Sequence, residues 1–137
     1  MNRRAELACH FLDVTNMPWE KTAYAGIEQK TLLVDKQSGL ITALMRMAPG
    51  ARLPDHEHVK IEQTYVIEGR LVDKEGPAAG LEVGPGEFVW REPGSRHVAW
   101  CPDGGLMIAM FQVPNKFFER DGRVTDASGV DWDSLWG

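Results

Sequence analysis

Cysteine is scarce: only Cys9 and Cys101 occur in 137 residues. Two cysteines make no disulfide framework. They read as free thiols, the state of a reducing compartment, and a cytoplasmic location is expected. Long apolar runs are also missing. The longest, residues 106–111 (LMIAMF), falls far short of the roughly 20 residues a membrane-spanning helix needs. Leu7-Ala8-Cys9 lies near the N-terminus, but Glu6 interrupts and no apolar stretch follows Arg3 and Arg4. No lipoprotein leader is expected. Nor is there a surplus of positive charge. Fifteen basic residues face 20 acidic ones, for a net charge of −5, with no basic run. Nucleic acid and membrane surfaces are therefore excluded as expected partners. Amphipathic helices of four turns, internal repeats, low-complexity segments and linkers are likewise absent.

What is present is a series of short apolar segments punctuated by Gly, Pro and Asp. With 43% hydrophobic residues, the chain can bury a core without covalent staples, and a single domain over residues 1–137 is expected. Candidate strands cover residues 31–34, 40–47, 63–68, 81–83, 87–91, 97–100 and 106–111. Turn signals at Ser38-Gly39, Pro49-Gly50, Gly84-Pro85-Gly86 and Asp103-Gly104-Gly105 separate them. This spacing predicts an all-β sandwich or small barrel. Ile41, Ala43, Met45 and Met47 alternate onto one face, which is expected to be interior. Residues 73–80 (DKEGPAAG) read as an exposed hairpin loop. Phe117 to Val124 reads as a hairpin turning at Asp121-Gly122. The tail, residues 114–137, carries Trp132 and Trp136 and is expected to dock on its own domain or on a partner subunit.

Three of the four histidines form a pattern. On a strand, residues two apart share a side, so His56 and His58 can converge on one point. Glu62 has the same parity; Glu57 has the other. If His97 faces inward from a neighbouring strand, three imidazoles and one carboxylate surround a single position. That donor set suits one divalent ion, Fe(II), Zn(II), Mn(II), Ni(II) or Co(II). His10 has no partner motif and is expected at the surface. Arg46 and Arg91 read as solvated or salt-bridged rather than as substrate ligands. Met45, Met47 and Thr64 are candidates for the wall of a substrate pocket, and Tyr65 and Ile67 for an outer face used in a homodimer.

The spacing Gly50, His56-x-His58, Glu62, Gly69 resembles the first conserved block of the cupin superfamily at every defined position. A second block is matched at Gly86, Gly94 and His97. Glu92 stands where proline is usual, with Pro93 one position later, and Cys101 replaces an asparagine. The resemblance covers roughly residues 31–113. It implies a cupin jelly roll with a metal held by His56, His58, Glu62 and His97. Residues 91–97 (REPGSRH) resemble cupins related to the ChrR anti-sigma-factor domain. Pro114, Phe117-Phe118 and Asp121-Gly122-Arg123 resemble small cupin dioxygenases that cleave acetylacetone. Those enzymes use three histidines, so Glu62 is a departure from them. Because cupins host several activities, three functions follow as expectations. The leading one is an Fe(II)-dependent dioxygenase of a small carbonyl or aromatic compound. The others are a metal-dependent isomerase or lyase, and a non-catalytic ligand or redox sensor.

Overall fold

The computed structural model describes residues 9–126 and 131–135. Fourteen strands account for nearly all of its regular structure: β1 (Glu20–Lys21), β2 (Ile27–Asp35), β3 (Leu40–Met47), β4 (Ala51–Arg52), β5 (His56–Glu57), β6 (Glu62–Gly69), β7 (Leu71–Asp73), β8 (Glu82–Val83), β9 (Phe88–Arg91), β10 (Arg96–His97), β11 (Ala99–Cys101), β12 (Gly105–Gln112), β13 (Lys116–Phe118) and β14 (Val124–Thr125). The long strands form one six-stranded sheet in the order β1-β2-β3-β12-β6-β9. The short ones form two four-stranded sheets, β10-β5-β13-β14 and β4-β11-β7-β8. All paired strands are antiparallel. The protein is an all-β jelly roll, the fold class its sequence implied.

Strands β3, β6 and β12 follow from their composition. β3 occupies the expected residues, and Ala43 and Met47 are buried on its inner face. β12 runs beside it in continuous register from Gly105↔Met47 to Gln112↔Leu40. Other strands extend beyond what the pattern predicts. β2 begins at Ile27, and β13 and β14 join a small sheet, so the fold reaches past residues 31–113 on both sides. The Asp-Gly hairpin forms as expected, pairing Phe117 with Thr125 and Phe118 with Val124.

Gly69 shows why one motif glycine is needed. Its φ is +78°, and a Cβ there would lie 2.1 Å from the carbonyl oxygen of Gly104. Only a residue without a side chain permits that approach.

The apolar core is built from Ile27, Met47, Val66, Leu71, Val83, Ala99, Cys101 and Met107. It lies where β3, β6 and β12 face the sheet containing β7 and β11. The N-terminal segment packs over the outer face of β2 and β3. Lys30 Nζ donates to the Val14 carbonyl at 2.7 Å, and Lys30 and Arg46 sit over the Trp19 ring. Arg46 also pairs with Glu28 at 2.8 Å, so it is salt-bridged as expected.

One reading needs correction and another is sharpened. Asp73 is not part of an exposed loop. It closes β7 with 1% of its surface exposed, while residues 74–80 are exposed as expected. Arg91 is salt-bridged as expected, but inside the protein rather than at its surface. It is buried, and its neighbours Phe88 and Trp90 are 50% and 54% exposed instead. Strand β9 thus inverts the usual rule, pointing its charge inward and its aromatics outward. The cause is a buried carboxylate partner, described below.

A short helix, Trp132–Leu135, lies beside β14, and Thr125 bridges to Asp131. The expected docking of Trp136, and the leader reading at residues 7 and 8, fall outside the described residues. Among the described residues, no helix is long and apolar enough to cross a membrane.

Candidate metal centre

His56 and His97 are direct cross-strand partners on β5 and β10, and Phe117 on β13 pairs with His56 from the other side. His58 follows β5 immediately. Its backbone is clamped by the turn at residues 92–95: His58 N donates to the Ser95 carbonyl at 2.9 Å, and Gly94 N donates to the His58 carbonyl at 2.6 Å. Gly94 has φ +88°, the left-handed region that explains glycine in this turn. The three histidines are all buried, and one nitrogen from each lies within 4.8 Å of the other two. A single metal ion can be held by such a group.

The rings are held by their outer atoms. His56 Nδ1 lies 2.9 Å from the Pro54 carbonyl, so it carries the proton and leaves Nε2 free. The same ring stacks on Phe117 at 4.7 Å between centroids, and Phe117 stacks on Tyr24 at 5.5 Å. The Tyr24 hydroxyl donates to Glu119 at 2.7 Å, and Thr125 donates to the same carboxylate oxygen. His97 Nδ1 is 3.3 Å from Asp73 Oδ1. His58 Nδ1 is 3.2 Å from Glu62 Oε2 but makes no hydrogen bond.

All three imidazoles are neutral at pH 7. Burial lowers His56 to about 3 and His58 to about 2, helped by the neighbouring rings. Burial also lowers His97, although Asp73 opposes it. His58 Nε2 and His97 Nε2 face each other at 2.9 Å. Two lone pairs at that distance repel unless a proton or a cation lies between them. Neutral nitrogen donors aimed at one another, with the outer nitrogens of His56 and His97 tied to oxygen, fit a divalent metal.

The structure brings together three of the four residues expected to hold metal. Glu62 stands beside the group rather than within it. Its side chain is 14% exposed, between His58 and Arg91, with Arg91 Nε 3.8 Å from Oε1. Burial pushes its carboxyl up to about 7 despite the guanidinium.

A cavity of about 310 Å³ opens beside the histidines. Its wall includes Ile27, Met45, Leu53, Phe111 and Phe117, with Gln29, Asn115 and Lys21 as polar members and His56, His58 and Glu62 at one side. Met45 takes the position expected of it. Met47 and Thr64 do not line this cavity. Met47 lies two residues further along β3, inside the apolar core, where Cys101 Sγ is 3.5 Å from its sulfur. Thr64 is buried behind Glu62, its hydroxyl 3.5 Å from Oε1. Tyr24, Asp73 and Asn115 escaped the sequence reading. None belongs to the histidine pattern, and Asp73 sits in a string that reads as a turn.

The sequence profile of the ChrR Cupin-like domain family matches residues 8–116. The chain belongs to that family. Solved structures that resemble this cupin include the following three. One, from Methylibium petroleiphilum PM1, is proposed to be an acetylacetone dioxygenase. It shares 20% identity over 92% of this chain and 90% of that one, with a TM-score of 0.76. An acetylacetone dioxygenase from Acinetobacter johnsonii shares 17% identity over 92% and 87% of the two chains, at 0.75. The third is the anti-sigma protein ChrR of Rhodobacter sphaeroides, solved in complex with SigE. It shares 21% identity over 72% of this cupin and 50% of that chain, at 0.59. At these identities the likeness establishes the fold. No curated protein sequence matches the chain.

Proposed function

We propose that this cupin binds one divalent metal, Fe(II) by preference, and acts as a dioxygenase on a small carbonyl or aromatic compound. The observation carrying this reading is the set of three buried, uncharged imidazoles beside a partly apolar cavity of about 310 Å³. Zn, Mn, Ni and Co suit the same donors. When bound, Fe(II) supplies Lewis acidity and a template for dioxygen. The chain's own residues do the rest. His56, His58 and His97 hold the ion, and the apolar wall excludes water. Gln29 and Asn115 offer the few polar contacts that orient a carbonyl. The fold shared with an acetylacetone dioxygenase, and with a second protein proposed to be one, supports this reading.

Glu62 was read from the sequence as the fourth ligand, and that role is part of the proposal in a weaker form. To reach the metal its carboxylate must give up its place beside His58 and Arg91. A ligand set of three histidines is favoured by the grouping as it stands.

The decisive experiment is oxygen uptake by Fe(II)-loaded protein across β-diketones and hydroxyacetophenones. Uptake with stoichiometric product is expected; none with any member of the panel refutes the enzymatic reading. Family membership favours one second reading, a non-catalytic ligand or redox sensor with a protein partner. Metal retention without turnover is its signature. A homodimer is proposed through the outer face bearing Tyr65, Ile67, Phe88 and Trp90, all exposed. Light scattering tests it: a mass near one 15.3 kDa chain refutes it.

A further inference from the structure

Behind His97 lies a buried ion pair that the histidine pattern does not include. Arg91 donates from Nη1 to Asp73 Oδ2 and from Nη2 to Asp73 Oδ1, both at 2.7 Å. Both side chains are buried. The bidentate geometry fixes the carboxylate plane as well as its position. The backbone fixes it further. Asp73 N donates to the Leu81 carbonyl, Gly80 N donates to the Asp73 carbonyl, and Asp73 is registered opposite Ala99. Arg91 is held in turn by its pairing with Glu62 on β6. The same Oδ1 that accepts from Arg91 lies 3.3 Å from His97 Nδ1.

A buried charge pair is costly to assemble and gives little net stability over an apolar pair. Its placement against a ring nitrogen points to a role beyond packing. We propose that Asp73, clamped by Arg91, is a positioning residue that keeps His97 protonated on Nδ1 and presents its bare Nε2 to the metal. An ionised carboxylate can only accept a hydrogen bond, so the imidazole facing it must donate. The other nitrogen then carries the lone pair, aimed at His58 Nε2 2.9 Å away. Arg91 makes this one-sided, because it occupies the carboxylate and keeps it ionised. The metal-affinity part of this inference rests on the proposed metal centre; the choice of tautomer does not.

The test uses the full chain with ¹⁵N-labelled histidine. In metal-free wild type, long-range ¹H–¹⁵N spectra are expected to show His97 with Nδ1 protonated and Nε2 bare. In Asp73→Asn the amide oxygen turns to Arg91 and the NH2 to the ring, so the proton is expected to move to Nε2. Zinc affinity, measured by competition, is expected to fall about 10–100-fold, the usual cost of removing such a partner. Arg91→Lys keeps the charge but loses the fork; a smaller loss with the tautomer retained is expected. Arg96→Gln breaks the exposed pair with Asp55 next to His97 and is expected to change neither readout. Protonation on Nε2 in wild type overturns the proposal without any variant, whether or not the variants fold. So does an Asp73→Asn protein that is merely less stable, with tautomer and affinity unchanged. A wild-type chain that binds no zinc overturns the metal centre instead, while the tautomer still decides whether Asp73 sets the ring.

Discussion

Two regions of the barrel interior differ sharply although the same strands build both. At one end Met47, Val66, Cys101 and Met107 form a closed apolar core. At the other, Met45, Glu62 and Phe111, from β3, β6 and β12, join the histidines around a cavity. Each strand therefore changes character within a few residues: Met47 is core and Met45 is cavity wall; Val66 is core and Glu62 is beside the metal group. Alternation decides only which side a residue faces. Distance along the strand decides which of the two environments it meets. Stability and chemistry are thus separable here, and substitutions at the two ends are expected to have opposite signatures.

The largest contrast is His58→Ala. Metal content measured after dialysis is expected to fall essentially to zero, while the thermal midpoint of the metal-free protein changes little. Stoichiometric metal in that variant breaks the assignment. At the other end, Met107→Ala removes a side chain buried among Met47, Val66 and Cys101. A loss of about 2–5 kcal/mol in denaturant unfolding is expected, with metal stoichiometry intact. A metal-depleted Met107→Ala protein that is still folded shows the two ends to be coupled.

Acid separates the ends without mutation. With His56 near 3 and His58 near 2, the unfolded chain holds two protons that the folded one lacks as pH falls below 6.5. Glu62, raised to about 7, acts in the opposite sense above its ordinary 4.5, because the folded state keeps a proton the unfolded state releases. His97, also lowered, acts with the other two histidines, and three against one leaves stability rising with pH through this range. In chelator, the urea midpoint is therefore expected to drop on going from about pH 6.5 to 4.5, by at most about 1.4 kcal/mol per pH unit for each net proton. A midpoint that rises instead contradicts the buried neutral histidines.

Glu62→Gln is expected to do less. It keeps the shape and removes the charge, so metal affinity falls by no more than about 10–100-fold if the carboxylate stays outside the coordination sphere. A metal–oxygen distance of about 2.0–2.2 Å in a zinc-loaded crystal places it inside. The smallest effect is reserved for Glu57→Ala. Glu57 lies between the two histidines in sequence but pairs with Arg96 and Lys116 on the neighbouring strands, and metal content is expected to stay unchanged.

Legibility in the sequence also divided along the barrel. The long strands β3, β6 and β12 could be read because their apolar residues recur over eight positions. The two-residue strands β4, β5 and β10 could not, since two residues carry no period. Even so, the histidine spacing located the three-histidine group, because positions 56 and 58 lie two apart at the end of a very short strand. The failures share one cause. Asp73 was taken for loop, and the salt bridge open to Arg91 was given no buried partner, because pattern reading sends charge to water. Each is buried by the other, across 18 residues of sequence, and neither alone betrays the pair. Phe88 and Trp90 follow from the same exchange: once Arg91 turns inward, its alternate neighbours must turn out.

The three histidines come from β5, the turn after it and β10, two of them 39 residues apart in sequence. An unfolded chain does not gather them, so an ion held by them would recognise only the folded form, and its binding free energy would add to that of folding. By mass action, free metal at 100 times its dissociation constant raises the unfolding free energy by about 2.7 kcal/mol. Melting temperature then becomes a reporter of occupancy. A series of divalent ions ranked by their thermal shift at equal concentration ranks their affinities for the site, with no substrate in hand.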